Sequence, residues 1–150
     1  MIANGTKAPD FKLKDQDGKI VNLSALQGKK VLLSFRPLAW TAVCTDQMKS
    51  LENNFDKLAE LNIVALGIGV DSAPSNKAWA RSMNIKKTRL ISDFWPHGEV
   101  SKLFGAFREA DGFSERANIL IDENGTIVFT RLYPTGQLPD IQEIINFLKK

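Results

Sequence analysis

The sequence predicts an α/β fold, a mixed central sheet flanked by helices. Three observations predict it. Two short apolar runs, Val31 to Phe35 and Ile63 to Val70, have the length and composition of buried strands. The first is followed by a segment whose apolar residues recur at helical spacing, the second by one that a proline opens as a helix. Near the end, two more apolar runs flank a turn, and an amphipathic segment closes the chain. Strands alternating with helices and then pairing side by side form layers around one sheet.

Taken in order, Phe11-Lys12-Leu13 and Ile20-Val21-Asn22-Leu23 flank Asp17-Gly18 and predict a small N-terminal hairpin. The strand beginning at Val31 runs through Arg36 and ends there, because Pro37 forces Arg36 to be extended. From about Thr45 a helix is expected, with Met48, Leu51, Phe55 and Leu58 on one face and Lys49, Glu52, Asp56 and Lys57 opposite. Ile63 to Val70 is the second buried strand. Ser72-Ala73-Pro74 opens a helix through Trp79 to Met83, since proline suits a first turn. Leu90-Ile91 predicts a short strand and His97 to Phe104 a short helix. Asn118 to Ile121 and Thr126 to Arg131 flank the turn Asp122-Glu123-Asn124-Gly125 and predict an antiparallel pair. Ile141, Ile144, Ile145 and Leu148 mark a final amphipathic helix. The order β-α-β, then β-β-α, is that of the thioredoxin fold, with an insertion between the halves and a hairpin added in front.

Composition agrees with a globular domain. The chain has 150 residues, 43% hydrophobic and 25% charged, enough for one core without staples. With no repeat, low-complexity tract or linker, one domain is expected over residues 1–150. Twenty basic residues stand against 17 acidic ones, a net charge of +3, and the densest spots are only Lys29-Lys30, Lys86-Lys87 and Lys149-Lys150. Runs this short argue for a solvated surface and against nucleic-acid or membrane binding. No apolar run approaches the roughly 20 residues of a membrane span. Met1 to Phe11 lacks a charged segment followed by an apolar stretch, so a cytoplasmic location is expected.

The chain has one cysteine, Cys44. That excludes an intramolecular disulfide, a CxxC redox pair and a multi-cysteine zinc site. A buried structural thiol, a nucleophile or a redox-active thiol remains. Cys44 falls between the strand ending near Arg36 and the helix that follows. Ligands of open α/β sheets collect outside the carboxyl ends of strands. A helix start offers free N–H groups and a partial positive charge, which favour a thiolate. Thr41 is close enough to hydrogen-bond the sulfur, or equally to cap the helix. Pro37 stiffens the loop or simply ends the strand. Trp40 fits a core, a pocket wall or an interface. The sole histidine, His97, precedes a helix; neither a Cys–His hydrolase nor a metal site is expected, and no cofactor is implied.

Pro37, Thr41 and Cys44 stand in the spacing P-x3-T-x2-C, and in this the chain resembles the peroxiredoxins, the alkyl hydroperoxide reductase and thiol-specific antioxidant family. Ala8-Pro9-Asp10-Phe11 resembles the family's opening motif. Ser92-Asp93-Phe94-Trp95-Pro96-His97-Gly98 resembles its one-cysteine subgroup, the alkyl hydroperoxide reductase E type. The likeness extends to Ile121-Asp122-Glu123-Asn124-Gly125. It implies a thiol-dependent peroxidase acting on hydrogen peroxide or organic hydroperoxides, with peroxynitrite a further candidate. Cys44 would be the peroxidatic cysteine, Thr41 the hydroxyl contacting the peroxide and Pro37 the shield of the pocket. Leu38, Trp40 and Val43 would line it. The family's arginine on a later strand maps to Arg116 within Ser114 to Asp122, whereas composition alone leaves Arg108 and Arg131 as good. Gln47 departs from the glutamate of many members. A homodimer is implied, with Trp40 and Trp79 as interface or core residues. The other reading is a redox-inert thioredoxin-like binding or chaperone module.

Acidity alone would not make such a thiol fast. An ordinary thiol with a pKa of about 8.5 is about 3% ionised at pH 7, and a pKa of about 6 would gain roughly thirtyfold. Lost nucleophilicity, at a slope of about 0.4 to 0.5, returns about tenfold of that. The rest must come from donors that stabilise charge on the departing oxygen. Arg116, Thr41 and the N–H groups of Val43 and Cys44 are the candidates. With no second cysteine, the sulfenic acid must be reduced by an external thiol or a redoxin-like protein.

Overall fold

The computed structural model describes residues 1–150. Two strands, β1 (Lys12–Lys14) and β2 (Ile20–Asn22), form the N-terminal hairpin. A short 3-10 turn over Leu23–Leu26 leads to β3 (Lys30–Phe35). Helices α1 (Ala42–Asn53) and α2 (Phe55–Glu60) follow, then β4 (Ile63–Gly69), α3 (Ala73–Ser82), β5 (Arg89–Ser92) and α4 (Glu99–Leu103). A two-stranded hairpin, β6 (Phe107–Arg108) and β7 (Phe113–Ser114), precedes β8 (Arg116–Ile121), β9 (Ile127–Tyr133) and α5 (Ile141–Leu148).

Seven strands make one mixed sheet in the order β2-β1-β5-β4-β3-β8-β9. β3 is central, parallel to β4 on one side and antiparallel to β8 on the other. The hairpin extends the sheet by pairing β1 with β5 at Lys14 and Ser92. This is the mixed α/β sheet of the thioredoxin-like class, with the expected hairpin in front.

Alternation along β3 splits the core in two, because successive side chains of a strand point to opposite faces. Leu33 and Phe35 join Phe11, Ile68, Phe104 and Ile119 on one face. Leu32 joins Met48, Leu51, Trp79, Leu120 and Ile144 on the other, beneath α1, α3 and α5. Burying each such side chain is worth about 1.5–3 kcal/mol against leaving it exposed. Cys44 belongs to this second cluster and is 0% exposed.

Three expectations need correction. β3 ends at Phe35, one residue short, although the Arg36 N–H still donates to Ile68 O at 2.8 Å. The helix begins at Ala42 rather than Thr45, which places Cys44 inside its first turn. It also breaks at Asn54, whose amide donates to Ser50 O at 2.8 Å and competes with continuation of the helix. Phe55, beyond the break, is half-buried and leaves the face that Met48 and Leu51 share. The β6–β7 hairpin lies in the expected insertion, but its two-residue strands carry no readable period. No helix is long and apolar enough to cross a membrane.

Candidate active site

The site lies at the carboxyl ends of β3 and β4. Pro37 is buried, has no N–H to offer and ends β3. The loop from Arg36 to Thr41 then enters α1. Thr41 holds the extended conformation of a helix-capping position, φ −88° and ψ 154°, but its side chain caps nothing. Its hydroxyl donates instead to Leu38 O at 2.8 Å, closing the loop on itself. The first helical backbone bond is Thr45 N–H to Thr41 O, and the N–H groups of Val43 and Cys44 donate to no backbone acceptor. Such free donors are the normal condition of a helix start.

Arg116 opens β8, next to Ala117, which pairs with Phe35 at the end of β3. That register carries a residue 72 positions away onto Cys44: Arg116 Nη1 lies 3.3 Å from Cys44 Sγ. The same nitrogen donates to Gln47 Oε1 at 2.7 Å, and Nε donates to Thr135 O at 2.9 Å. Arg116 is 3% exposed and has no carboxylate within ion-pair distance. Behind it the network continues through neutral groups. Gln47 Nε2 donates to Ser34 Oγ at 2.7 Å and to Phe35 O at 3.1 Å, and Ser34 Oγ donates to Asn118 Oδ1 at 2.8 Å. Ser34 and Asn118 are register partners of β3 and β8, so the sheet itself lines up this relay. Glutamine thus keeps the hydrogen bond to the arginine without bringing a charge.

A second buried arginine stands on the side of β4. Arg36 Nη1 donates to Asp71 Oδ2 at 2.8 Å, and its guanidinium lies 4.7 Å from the centroid of the Trp79 ring. Burial pushes the Arg36 guanidinium below its usual range, while the negative charge of Asp71 pulls it back. Nothing in the motif announces this pair, since an arginine before a proline and an aspartate 35 residues later are ordinary surface types.

A cavity of about 400 Å³ opens beside Arg116, lined by Pro37, Leu38, Thr41, Val43, Arg116 and Phe113 among others. Leu38 and Val43 are part of this lining. Trp40 does not: it is 55% exposed, has φ 71°, and its Nε1 donates to Ser75 Oγ at 3.2 Å. Trp79 is a core residue at 1% exposure and donates to Thr45 Oγ1. Arg108 reaches the rim, tied to Asp111 at 2.7 Å and Glu115 at 3.4 Å, and Arg131 pairs with Glu143. Of the three arginines that composition left open, Arg116 is the one at the sulfur. Sequence reasoning missed the β6–β7 hairpin that supplies Arg108, Asp111 and Phe113 to the cavity. His97 stands at this hairpin, its Nε2 2.6 Å from Gly112 O.

The chain is similar to known proteins along almost its whole length. Residues 4–130 match the model of the AhpC/TSA family. The chain is 37% identical over 141 residues to alkyl hydroperoxide reductase E of Mycobacterium tuberculosis, covering 93% of this chain and 92% of that protein. It is 36% identical over 155 residues to peroxiredoxin Bcp of Escherichia coli, covering 97% and 95%. Among solved structures, the reduced 2-Cys peroxiredoxin of Plasmodium vivax superposes with a TM-score of 0.89 at 30% identity, over 99% of this chain and 81% of that one. The AhpC of Enterococcus faecalis, at 24% identity and a TM-score of 0.90, shares the fold over 99% and 92%. A single cysteine held against a buried arginine, in a chain so related along almost its whole length, belongs to the AhpC/TSA family of peroxiredoxins, the thiol-dependent peroxidases.

Proposed function

We propose that Cys44 is the sulfur that attacks the peroxide. The observation that carries this is the 3.3 Å approach of Nη1 of Arg116, which lines the cavity, to the buried Cys44 Sγ behind it. Cys44, as thiolate, attacks one peroxide oxygen in line with the O–O bond. A sulfur–oxygen bond forms as the O–O bond breaks, and its electron pair leaves on the far oxygen. That oxygen takes from solvent the proton that Cys44 gave up on ionising, and departs as water, or as an alcohol from an organic hydroperoxide. Sulfur is oxidised by two electrons to the sulfenic acid. Arg116 is the fixed donor for the charge that develops, and a preorganised donor in a water-poor site costs no reorganisation at the moment of reaction. The N–H groups of Val43 and Cys44 add to it.

Thr41 enters this reading with a modified role. Its hydroxyl proton is committed to Leu38 O, which leaves the oxygen lone pairs free to accept from a peroxide O–H. Pro37 and Leu38 wall the cavity and keep water away from the sulfur.

Reduction comes from outside. An external thiol attacks the sulfenic sulfur, expels water and forms a mixed disulfide; a second thiol releases Cys44. A low-molecular-weight thiol and a redoxin-like protein are both reductants of the right chemistry. The substrate is hydrogen peroxide or an organic hydroperoxide, with peroxynitrite a further candidate, in a cytoplasmic setting. A homodimer through the surface beside the loop is supported by the exposure of Leu38 and Trp40 there.

The test is a substoichiometric peroxide pulse followed by mass spectrometry with a sulfenic-acid trap. One trapped adduct on Cys44 is expected. An unmodified Cys44 would instead favour a redox-inert binding or chaperone module. Stopped-flow rates with hydrogen peroxide, an alkyl hydroperoxide and peroxynitrite then rank the substrates.

A further inference from the structure

The loop that brings Pro37 and Thr41 to the wall of the cavity is held from outside itself. Its own side-chain bond is the one from Thr41 to Leu38 O. Its middle is pinned by Asp71, just past the end of β4, whose Oδ2 accepts the Ala39 N–H at 2.8 Å and Arg36 Nη1 at 2.8 Å. The Asp71 side chain is 16% exposed and that of Arg36 is 0% exposed. Arg36 is fixed on three further sides. Nη2 donates to Asn76 Oδ1 at 2.9 Å, the plane packs on Trp79, and Gly69 leaves the space Nη1 occupies, where any Cβ would collide with it. Trp40, next in the loop, holds a left-handed backbone and bonds Ser75 on α3. Every one of these ties runs to β4, to α3 or to the turn between them.

We propose that Asp71, acting through Arg36 and the Ala39 N–H, is a positioning residue of the peroxide reaction. It holds residues 36–41 in the one arrangement that sets Thr41 and Pro37 beside Cys44. This rests on the reading of Cys44 as the attacking sulfur. In-line displacement needs sulfur, both peroxide oxygens and their donors aligned, and a misplacement of about 1 Å can cost about 10²-fold. Alkylation of the same sulfur by iodoacetamide is also an in-line displacement, but it needs no donors set around a departing oxygen. At one pH both reactions draw on the same thiolate fraction, so the ratio of the two rates reports position and cancels ionisation.

The experiment compares the second-order rate constants of hydrogen peroxide and iodoacetamide at Cys44 in the reduced full chain. In Asp71→Ala the peroxide-to-iodoacetamide ratio is expected to fall at least about thirtyfold. Asp71→Asn keeps an oxygen for the Ala39 N–H and is expected to return the ratio to within about fivefold of the parent. Because Asp71→Ala leaves a buried unpaired cation and risks not folding, Arg36→Met with Asp71→Ala removes both charges; its ratio is expected to stay low. Two rates that fall in parallel, or a ratio that stays at the parental value in the double variant, would overturn the proposal. If the parent itself shows no reaction with peroxide, the peroxidase reading fails and this one with it. That outcome differs plainly from a reactive parent with unaltered variants, which sinks the positioning role alone.

Discussion

Arg116 Nη1 is shared between Cys44 Sγ, at 3.3 Å, and Gln47 Oε1, at 2.7 Å. The shorter contact is to a neutral amide, so the guanidinium is oriented without having its charge cancelled by a partner. A carboxylate in place of Gln47 would form an ion pair and compete with the departing oxygen for the same donor.

Removing the arginine should therefore cost most of the rate. Arg116→Ala is expected to slow sulfenic acid formation by at least about 10²-fold, in line with the loss of one preorganised donor. Arg116→Lys restores charge but not the fork that reaches Gln47 and Thr135 together, and should recover only part. Stopped-flow mixing with hydrogen peroxide measures both. A parental rate in Arg116→Ala would end this account of the barrier.

Gln47→Glu tests the neutral relay. Glutamate keeps an acceptor for Arg116 but loses the two N–H bonds to Ser34 Oγ and Phe35 O. It also sets a carboxylate oxygen against the Phe35 carbonyl. Slower peroxide reaction, by about tenfold, is expected together with a loss of about 1–3 kcal/mol in urea unfolding from the buried groups left unpaired. An unchanged urea midpoint with unchanged rate would show that the relay carries nothing.

Much of this site was legible because the reacting groups stand in a fixed local spacing. Pro37, Thr41 and Cys44 lie within eight residues of one strand-to-helix junction, so sequence order and spatial order agree. Arg116 was reachable only through its matching segment, since periodicity says nothing about which of several arginines β8 brings to β3. The relay from Gln47 through Ser34 to Asn118 could not be read, because Ser34 and Asn118 are 84 residues apart and each is a common polar type. Arg36 was misleading in the same way: arginine is an exposed type by default, and only Asp71, Asn76 and Trp79 together make its burial tolerable. The break at Asn54 escaped because the apolar spacing continues across it to Leu58.

Acid stability should depend on Glu52. Burial alone would raise its carboxyl pKa, but hydrogen bonds from Lys86 N–H, Thr88 N–H, the Thr88 hydroxyl and Lys87 N–H outweigh that and hold it below the ordinary 4.5. A folded-state value below the unfolded one means the carboxylate stabilises above about pH 4.5, and that contribution disappears as the pH falls through the folded-state value. Glu52→Gln should thus be less stable than the parent at pH 7, and the gap should narrow as the pH falls below about 4.5. Urea midpoints across pH 3–7 decide it, and a gap that stays constant would contradict the assignment.

The proposed dimer has a direct test. Light scattering of the parent should give twice the 16.7 kDa chain mass, and Trp40→Arg should shift it toward the single mass. An unchanged mass would remove Trp40 from the interface.

Cys44 and the guanidinium that touches it are separated by 72 residues, and the strand carrying Arg116 is laid against β3 from the C-terminal side. During synthesis the sulfur emerges long before its donor. On the proposed reading of Arg116 as the donor, a growing chain that ends before β8 would hold the thiol without the charged group that speeds its reaction with peroxide. The late arrival of Arg116 would then leave the unfinished chain with no more than the reactivity of an ordinary thiol.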